Sequence, residues 1–195
     1  MEWILASASP RRKELLRELL PAFEIIPAKG KESVSKAWGV EETVRSLATQ
    51  KAREVASLAV AKDKAVLGAD TVVSLNGGIL GKPKDETDAE RMLSALSGKP
   101  HEVYTGVCIS YPDKTGERGE LVAAACTKVF FERLNQEQIR RYIATGSPMD
   151  KAGAYGIQDG GLVEKIEGSF SNVVGLPVEL CKEMLAKIQA ETCNE

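Results

Sequence analysis

A nearly uninterrupted apolar stretch over residues 65–73 constrains the fold of this chain more than any other sequence feature. A strand that is apolar on both faces must be covered on both faces, and such strands are typical of sheets with helices on each side. Helical and extended patterns alternate along the rest of the chain, as they do in α/β proteins. The sequence therefore predicts a buried strand in a helix-flanked sheet.

The remaining apolar patterns predict the other elements of an α/β fold. Strands are predicted at 3–6, 23–26, 103–111, 121–131 and 162–166, and helices from Ser9, around 44–56, from Thr87 to Gly98, at 136–144 and at 178–188. The strands before and after residues 112–116 are expected to form an antiparallel hairpin. A length of 195 residues and a hydrophobic content of 43% favour one domain over residues 1–195, and two lobes around a cleft are left open.

Charge and hydropathy exclude several classes of partner. The chain has 26 Lys and Arg against 28 Asp and Glu, a net charge of −2, so no basic excess indicates binding to nucleic acid. No stretch approaches the roughly 20 apolar residues of a membrane span, and the first residues lack a secretory-signal pattern, which indicates a cytoplasmic protein without a membrane partner. The four cysteines are scattered, with no C-x-x-C pair, so neither a zinc site nor a disulfide framework is expected.

The first predicted helix begins with an unusual distribution of charge. Ser9 suits the N-cap and Pro10 the first helical position. Arg11 and Arg12 then fall in the first turn, where free backbone N–H groups already carry partial positive charge, and each exposed cation costs roughly 0.3 to 1 kcal/mol. The helix from Thr87, in contrast, has two acids in its first turn, as the helix dipole prefers. We therefore predict an anion, most simply a phosphate, at the first helix; the alternative is a solvated basic surface.

Polar residues interrupt the apolar patterns at a few places, and Asp70 is the clearest case. An ionised carboxylate in a buried strand is costly unless it is paired, hydrogen-bonded or bound to a metal. Strand ends commonly display catalytic acids, which makes Asp70 a candidate catalytic residue; the alternative is a structural carboxylate that accepts backbone hydrogen bonds. Lys51 and Lys82 are candidate cations whose alternatives are a solvated helix face and an ordinary turn. The single histidine, His101, is interpreted as structural, because no nucleophile-elbow motif accompanies it.

Six short motifs, taken in order along the chain, resemble the Maf family. They are LASASPRRKELL (5–16), GADTVV (68–73), GKP (81–83), HEVYTG (101–106), DKAGAYGIQ (150–158) and NVVGLP (172–177). One motif alone would be weak evidence, but the ordered set extends from residue 5 to residue 177 and is highly specific. The resemblance implies an α/β fold similar to that of inosine triphosphatases, with an elongated mixed β-sheet flanked by helices and two lobes around a central cleft.

The same resemblance implies a nucleoside triphosphate pyrophosphatase, which uses a divalent metal cation (Mg²⁺, Mn²⁺ or Co²⁺) to split its substrate into a monophosphate and pyrophosphate. By their positions in the motifs, the phosphate-binding residues are Ser7, Arg12, Lys51 and Lys82. Asp70 matches the family's catalytic proton acceptor, and Asp70 and Glu32 are assigned to the metal. The family usually has another acid just before Glu32, but Lys31 stands there, which weakens the expectation that this loop supplies two carboxylates.

Two of the motifs resemble the branch of the family that hydrolyses dTTP and UTP. One is the Asp-Thr pair at residues 70–71, in the apolar stretch, and the other is the Ile-Gln pair at residues 157–158, after the Ala-Gly-Ala-Tyr-Gly run. On this resemblance Arg11, Thr71 and Gln158 determine substrate specificity. The Gln158 amide offers a donor and an acceptor, which suits the O4 and N3–H edge shared by uracil and thymine. The alternative is a loop glutamine that bonds to nearby backbone.

Two other functions stay open on the sequence alone. One is a housecleaning pyrophosphatase that acts mainly on modified nucleotides, such as those with methylated bases. The other is a nucleotide-binding regulator of cell division, since the family is associated with inhibition of septum formation. In each case the expected partner is a nucleoside triphosphate, without nucleic acid or membrane, and a homodimer is left open.

Overall fold

The structure is a computed structural model that describes residues 1–193. Its strands are β1 (Glu2–Leu5), β2 (Glu24–Ile25), β3 (Lys64–Leu75), β4 (Gly78–Leu80), β5 (Pro100–Pro112), β6 (Arg118–Phe131) and β7 (Val163–Glu167). Its α-helices are α1 (Pro10–Arg17), α2 (Val40–Ala56), α3 (Glu86–Leu96), α4 (Gln136–Ala144), α5 (Phe170–Val174) and α6 (Val178–Cys193). Short 3₁₀ turns lie at Ala59–Ala61, Ser147–Asp150, Ala152–Ala154 and Ile157–Asp159.

These strands form one mixed sheet. Its order is β2-β1-β3-β5-β6-β7, and β4 pairs with the end of β3. Strand β1 is parallel to β2 and β3, whereas β5 is antiparallel to β3 and β6, and β7 is antiparallel to β6. The long strands β5 and β6 make the predicted hairpin. The predicted mixed sheet flanked by helices is confirmed.

Helix α2 covers one face of the central strands at close range. Its buried residues on this face are Thr43, Val44, Leu47, Ala48, Ala52 and Val55. Gly68 on β3 and Gly106 on β5 permit the approach, because a Cβ there would lie only 2.4 Å and 2.2 Å, respectively, from a backbone carbonyl oxygen of α2. Close packing of the helix backbone against the sheet fixes the position of Lys51, which α2 carries, relative to β3.

Two hydrophobic clusters cover the opposite face, one toward each end of the long strands. The first packs Leu67 and Ala69 of β3 against residues of α1 and α6. The second packs Val73 of β3 against residues of α3 and α4. Alternate residues of a strand face the same side, so Thr71 lies on this face between the two clusters. The two expected lobes correspond to these clusters, which share the central strands.

Two helix starts follow the local signals in the sequence. Ser9 caps α1 by accepting a hydrogen bond from the Arg12 N–H at 3.4 Å, and Pro10 is the first helical residue. Asn135 and Gln138 cap α4 reciprocally, each side chain accepting from the other residue's backbone N–H. Both starts match the prediction, because such caps depend on residues within one turn of the helix.

The predicted start of the third helix is wrong. Thr87 was expected to be its N-cap, but the Asp85 side chain accepts the hydrogen bond from the Asp88 N–H at 2.8 Å, and α3 begins at Glu86. Aspartate caps a helix at least as well as threonine, and the earlier residue also places both acids, Glu86 and Asp88, in the first turn. Gly98 follows the helix with a φ of +66°, as expected for its C-terminal position.

None of the helices within residues 1–193 is long and apolar enough to cross a membrane. Three cysteines have described side chains, and all three are free thiols. Cys108 and Cys181 are buried in the protein, whereas Cys126 is exposed.

Candidate active site

A cleft between the lobes lies beside a gap along one edge of strand β3. On this edge β1 pairs with β3 as far as Leu67, and β4 pairs with it only from Val73 onward. Residues 68–72 therefore have no strand beside them on this edge within the described chain. The cleft has a volume of about 530 Å³ and lies beyond the carboxyl end of β1, the end at which α/β proteins bind ligands.

The gap gives the cleft access to both faces of the sheet, because successive side chains of a strand point to opposite faces. Asp70 contacts Lys51 of α2, whereas the next residue, Thr71, contacts Arg12 of α1. The cleft thus has two parts. We call them the lysine side (Glu32, Lys51 and Asp70) and the arginine side (Ser7, Arg12, Thr71 and Gly175).

On the lysine side, one ammonium group joins two carboxylates. Lys51 Nζ lies 3.0 Å from Glu32 Oε1 and makes a close ion pair with Asp70 Oδ1. The Lys51 and Asp70 side chains are only 18% and 15% exposed, whereas that of Glu32 is 47% exposed. The ion pair provides the partner that a carboxylate in a buried strand needs. Two carboxylates around one ammonium leave the lysine side with a net negative charge.

On the arginine side, neutral oxygens hold a guanidinium group. Arg12 Nε donates to the Gly175 carbonyl oxygen at 2.9 Å. Nη1 donates to Ser7 Oγ at 3.2 Å, and Nη2 donates to Thr71 Oγ1 at 3.1 Å. Burial lowers the pKa of Arg12 and the nearby charge of Asp70 opposes this effect, but an arginine remains charged in a protein. Within the described chain no carboxylate contacts this cation, so the arginine side keeps an unneutralised positive charge.

A chain of hydrogen bonds fixes the Thr71 hydroxyl. Thr105 Oγ1 donates to the Asn172 carbonyl oxygen at 3.0 Å and lies 2.9 Å from Thr71 Oγ1. Since Arg12 can only donate, Thr71 accepts from Arg12 and donates to Thr105, which is nearer than the Gly175 carbonyl oxygen at 3.4 Å. The Thr71 hydroxyl is therefore engaged within the protein.

The other arginine at the start of α1 contacts the second lobe. Arg11 Nη1 lies 3.3 Å from Asp150 Oδ2, and Lys151 Nζ donates to the other oxygen of this carboxylate at 2.9 Å. Burial raises the pKa of Asp150, but the contacts with Lys151 and Arg11 outweigh burial and the pKa is lowered. Both arginines of the first turn thus have protein partners, which contradicts the alternative of a merely solvated surface.

Two predicted residues line the cleft without a side-chain hydrogen bond in the described part of the chain. They are Lys82, in the loop after β4, and Gln158, in the Ile157–Asp159 turn, and both are exposed. Their polar ends are available to a ligand. The structure gathers all the predicted site residues around this cleft and the space next to it: Ser7, Arg11, Arg12, Glu32, Lys51, Asp70, Thr71, Lys82 and Gln158.

Sequence reasoning assigned no role to several residues that hold this site together. Thr105, Asp150 and Gly175 each contact a predicted site residue. All three lie inside the motifs 101–106, 150–158 and 172–177, so their place in these motifs could have marked them as candidate site residues. Gly175 acts through its backbone carbonyl, however, which no side-chain pattern reveals.

The histidine has the structural role that was predicted for it. His101 is buried, and its Nε2 lies 2.8 Å from the Tyr155 hydroxyl. Its ring also packs edge-on against those of Phe131 and Tyr155. Burial lowers the pKa of His101 to about 4, so the ring is neutral at neutral pH. His101 therefore belongs to the packing of the second lobe.

The donor chemistry of the lysine side fits a hard divalent cation. Residues 1–193 hold no cluster of three or more His, Cys, Asp and Glu that could bind a metal by themselves. Glu32 and Asp70 nevertheless meet at one cationic group, the Lys51 ammonium. Mg²⁺ usually binds one or two carboxylates and completes its coordination with water and substrate phosphates. These two carboxylates suit a cation that binds together with a phosphate-bearing ligand.

The fold and the cleft together define a class of protein. An α/β sheet whose ligand-binding edge combines a carboxylate pair, an unneutralised guanidinium and a helix N-terminus is suited to a phosphorylated ligand. The family model described as Maf-like protein matches residues 2–188, and this chain belongs to the Maf family. The resemblance based on the six motifs is confirmed.

Relatives from distant organisms are similar along most of the chain. The dTTP/UTP pyrophosphatase of Agathobacter rectalis is 48% identical over 198 residues, covering 95% of this chain and 96% of that protein. The dTTP/UTP pyrophosphatase of Geobacter sp. (strain M21) is 51% identical over 177 residues, covering 90% of this chain and 89% of that protein. That of Thermococcus gammatolerans is 49% identical over 179 residues, covering 91% of both chains.

Solved structures share the fold at low sequence identity. The Staphylococcus aureus Ham1 protein has a TM-score of 0.50 and 17% identity, covering 96% of this chain and all (100%) of that one. A HAM1 protein from Coxiella burnetii has a TM-score of 0.50 and 16% identity, covering 96% of this chain and 99% of that one. At such identities the likeness concerns the fold alone.

Proposed function

We propose that this protein is a nucleoside triphosphate pyrophosphatase that hydrolyses dTTP and UTP to the monophosphate and pyrophosphate. The observation that carries this proposal is the contrast within one cleft, where the Asp70 carboxylate and the unneutralised Arg12 guanidinium lie on opposite sides of one strand edge. The relatives named dTTP/UTP pyrophosphatase, at 48% to 51% identity, support the choice of substrate. Residues 1–195 act as one catalytic domain in this proposal.

The triphosphate binds on the arginine side in this proposal. A nucleoside triphosphate brings about four negative charges, which must be neutralised for attack on phosphorus. Three of the five N–H groups of Arg12 are bound to protein oxygens, and the others remain for phosphate oxygens. Ser7 and Lys82 contribute a hydroxyl and a second cation, and Lys51 joins them when it leaves Glu32 while keeping its contact with Asp70.

Asp70 is the proton acceptor of the reaction in this proposal. Its carboxylate takes a proton from a water molecule, and the water oxygen bonds to the α-phosphorus. The bond from that phosphorus to the oxygen that bridges the α- and β-phosphates breaks, and pyrophosphate leaves. Lys51 holds one Asp70 oxygen in place, so the carboxylate has a fixed direction in the cleft. A divalent cation (Mg²⁺, Mn²⁺ or Co²⁺) bound to Asp70 and Glu32 would supply neutralisation of the phosphate charge.

The base is recognised on the side of the cleft formed by the second lobe. Gln158 has an exposed amide, which can donate to O4 and accept from N3–H of uracil or thymine. Arg11 lies nearby through its contact with Asp150. Thr71, which the family resemblance assigns to specificity, acts in this proposal on phosphate binding through Arg12, because its hydroxyl is engaged by that guanidinium and by Thr105.

The test is a measurement of pyrophosphate release from UTP, dTTP, CTP, ATP and GTP, each with Mg²⁺, Mn²⁺ or Co²⁺. We expect UTP and dTTP to be hydrolysed fastest, with one pyrophosphate for each monophosphate. The variant Asp70→Asn should lose about 10²- to 10⁴-fold in kcat, as expected for a general base. The matched control, Asp63→Asn, changes an exposed aspartate just before β3 and should keep full activity.

Two results would contradict the proposal. Tight nucleotide binding without turnover would favour a regulator. Much faster hydrolysis of methylated nucleotides than of UTP and dTTP would favour a housecleaning enzyme.

A further inference from the structure

The turn that carries Gln158 is held on both sides by one tyrosine of helix α4. The Gly156 N–H donates to the Tyr142 hydroxyl at 2.9 Å, and this hydroxyl donates to Asp159 Oδ2 at 2.5 Å. Gly156 and Asp159 are the residues on either side of the Ile157-Gln158 pair. The backbone before Gln158 and the side chain after it are thus attached to the same hydroxyl group.

The same carboxylate oxygen receives a second hydrogen bond. Ser147 Oγ donates to Asp159 Oδ2 at 2.6 Å. Lys151 Nζ, which can only donate, contacts Ser147 Oγ at 2.9 Å, so the serine proton must go to Asp159. Burial raises the pKa of Asp159, but the hydrogen bonds from Ser147 and Tyr142 outweigh burial and lower the pKa. The carboxylate therefore accepts both bonds as an anion at neutral pH.

These bonds link the turn to the opposite lobe. Lys151 also donates to the Ser147 carbonyl oxygen at 2.6 Å and to Asp150 Oδ1 at 2.9 Å. Asp150 in turn contacts Arg11 at 3.3 Å. A continuous set of contacts therefore joins the Gln158 turn to Arg11 in the first turn of α1.

The chain beyond Asp159 offers little restraint of its own. Gly160 and Gly161 follow with φ angles of +73° and +72°, which glycine adopts without strain, and the lack of a side chain leaves more backbone conformations open to both residues. In the described part of the chain the Gln158 side chain makes no hydrogen bond. The turn has one backbone hydrogen bond of its own, from the Asp159 N–H to the Gly156 carbonyl oxygen at 3.1 Å. The Tyr142 and Asp159 contacts attach this turn to the rest of the second lobe, so the position of the Gln158 amide depends on them.

We propose that Asp159 is a positioning residue for Gln158 and that the preference for uracil and thymine depends on it. This role rests on the proposed function, because it concerns base recognition in the same cleft. Hydrogen bonds weaken steeply with misalignment, so a turn that moves presents the Gln158 amide to every base in poor geometry. Asp159 itself does not touch the reacting atoms.

The variant Asp159→Ala removes the acceptor of both bonds. We expect the ratio of kcat/KM for UTP to that for CTP, and to that for GTP, to fall about tenfold, because selectivity by hydrogen bonding needs fixed partners. The KM for UTP should rise while kcat changes little, since the arginine side and Asp70 are untouched. Hydrogen exchange of the amides of residues 156–161 should become faster.

A conservative variant should rescue the effect. Both bonds end on one oxygen of Asp159, so the single amide oxygen of Asp159→Asn can accept both, and it should restore selectivity and slow amide exchange. The control Glu137→Ala removes another acid of the same lobe, which pairs with Arg141 on the surface of α4. It should leave both measurements unchanged.

Tyr142→Phe provides a second variant if Asp159→Ala fails to fold. It keeps the ring and removes the hydroxyl that joins Gly156 to Asp159, and it should lower the same selectivity ratio. Unchanged selectivity in variants with a loosened turn would overturn the inference. A wild-type protein without any preference for UTP and dTTP would instead contradict the proposed function.

Discussion

The lysine side and the arginine side of the cleft each hold one partly buried cation, but they hold it in opposite ways. Lys51 meets two carboxylates, whereas Arg12 meets three neutral oxygens. A buried charge is unfavourable when no opposite charge lies beside it, so the arginine side attracts an anion. The lysine side, with its net negative charge, attracts a cation. The two sides of one strand edge are therefore complementary to the two components of a metal–triphosphate complex.

The motif positions alone conceal this difference. The family resemblance places Lys51 and Arg12 together in one phosphate-binding set. In the structure Arg12 has free N–H groups for a phosphate, but Lys51 must first leave Glu32 or Asp70. Residues that share a predicted role can thus differ in how ready they are to perform it.

Replacing Arg12 by lysine tests the arginine side and should have the largest effect of the three replacements that compare the two sides. A lysine keeps the charge but cannot bond to the Gly175 carbonyl, Ser7 and Thr71 at once and still offer a forked contact to phosphate. We expect the KM for UTP, dTTP and CTP alike to rise about 10- to 100-fold, equivalent to about 1.5 to 3 kcal/mol for hydrogen bonds to a charged group. Steady-state kinetics and calorimetric binding of pyrophosphate measure this loss.

The control for that variant is Arg17→Lys, at the exposed end of α1, which should behave like the parent protein. An unchanged KM in Arg12→Lys would show that the guanidinium supports the fold rather than the ligand.

Replacing Lys51 by methionine tests the lysine side. The methionine fills a similar volume without charge, and Glu32 and Asp70 then face each other with no cation between them. We expect the nucleotide-free protein to bind Mn²⁺ about tenfold more tightly, a change of about 1.4 kcal/mol, although turnover falls. Titration calorimetry measures the affinity, and Lys62→Met, at an exposed position, is the matched control. Equal or weaker Mn²⁺ binding would remove the assignment of the two carboxylates to a cation.

Replacing Thr71 by valine should have the smallest effect. Valine keeps the shape of threonine but loses the hydroxyl that links Arg12 to Thr105. The hydroxyl makes two hydrogen bonds, and the one to Arg12 bears on phosphate binding. Its loss, at about 1 kcal/mol, should raise the KM for every nucleotide by about fivefold and leave the ratio between UTP and CTP unchanged. Kinetics on both nucleotides provide the measurement, and Thr71→Ser should restore the parent values. A change in the ratio would mean that Thr71 reads the base directly.

The parts of the structure that depend on neighbouring residues could be predicted from the sequence. Ser9 and Pro10 begin α1 as expected, and the apolar stretch over residues 65–73 lies in a buried strand. The error at Thr87 arose because Asp85, two residues earlier, is an equally good cap. Local rules limit the choice there to a few residues but do not decide among them.

Contacts between distant segments could not be predicted in this way. Lys51 and Asp70 meet because Gly68 and Gly106 let α2 approach the sheet, and no local pattern links these residues. The contact of Arg12 with Gly175 uses a backbone carbonyl, for which the sequence carries no signal. The motifs located the site, but only the tertiary structure shows which charges are neutralised.

The gap along the edge of β3 also has a consequence for solubility. A free strand edge can pair with a strand of another molecule, and proteins avoid such association by placing charged groups beside the edge. Here Arg12, Lys51 and Lys82 line the cleft into which residues 68–72 open. A strand of another molecule that paired with this edge would shield these charged groups from water, which is unfavourable. These cations therefore oppose the pairing of this edge with a strand of another molecule, and we expect the protein to aggregate more readily when several of them are neutralised at once.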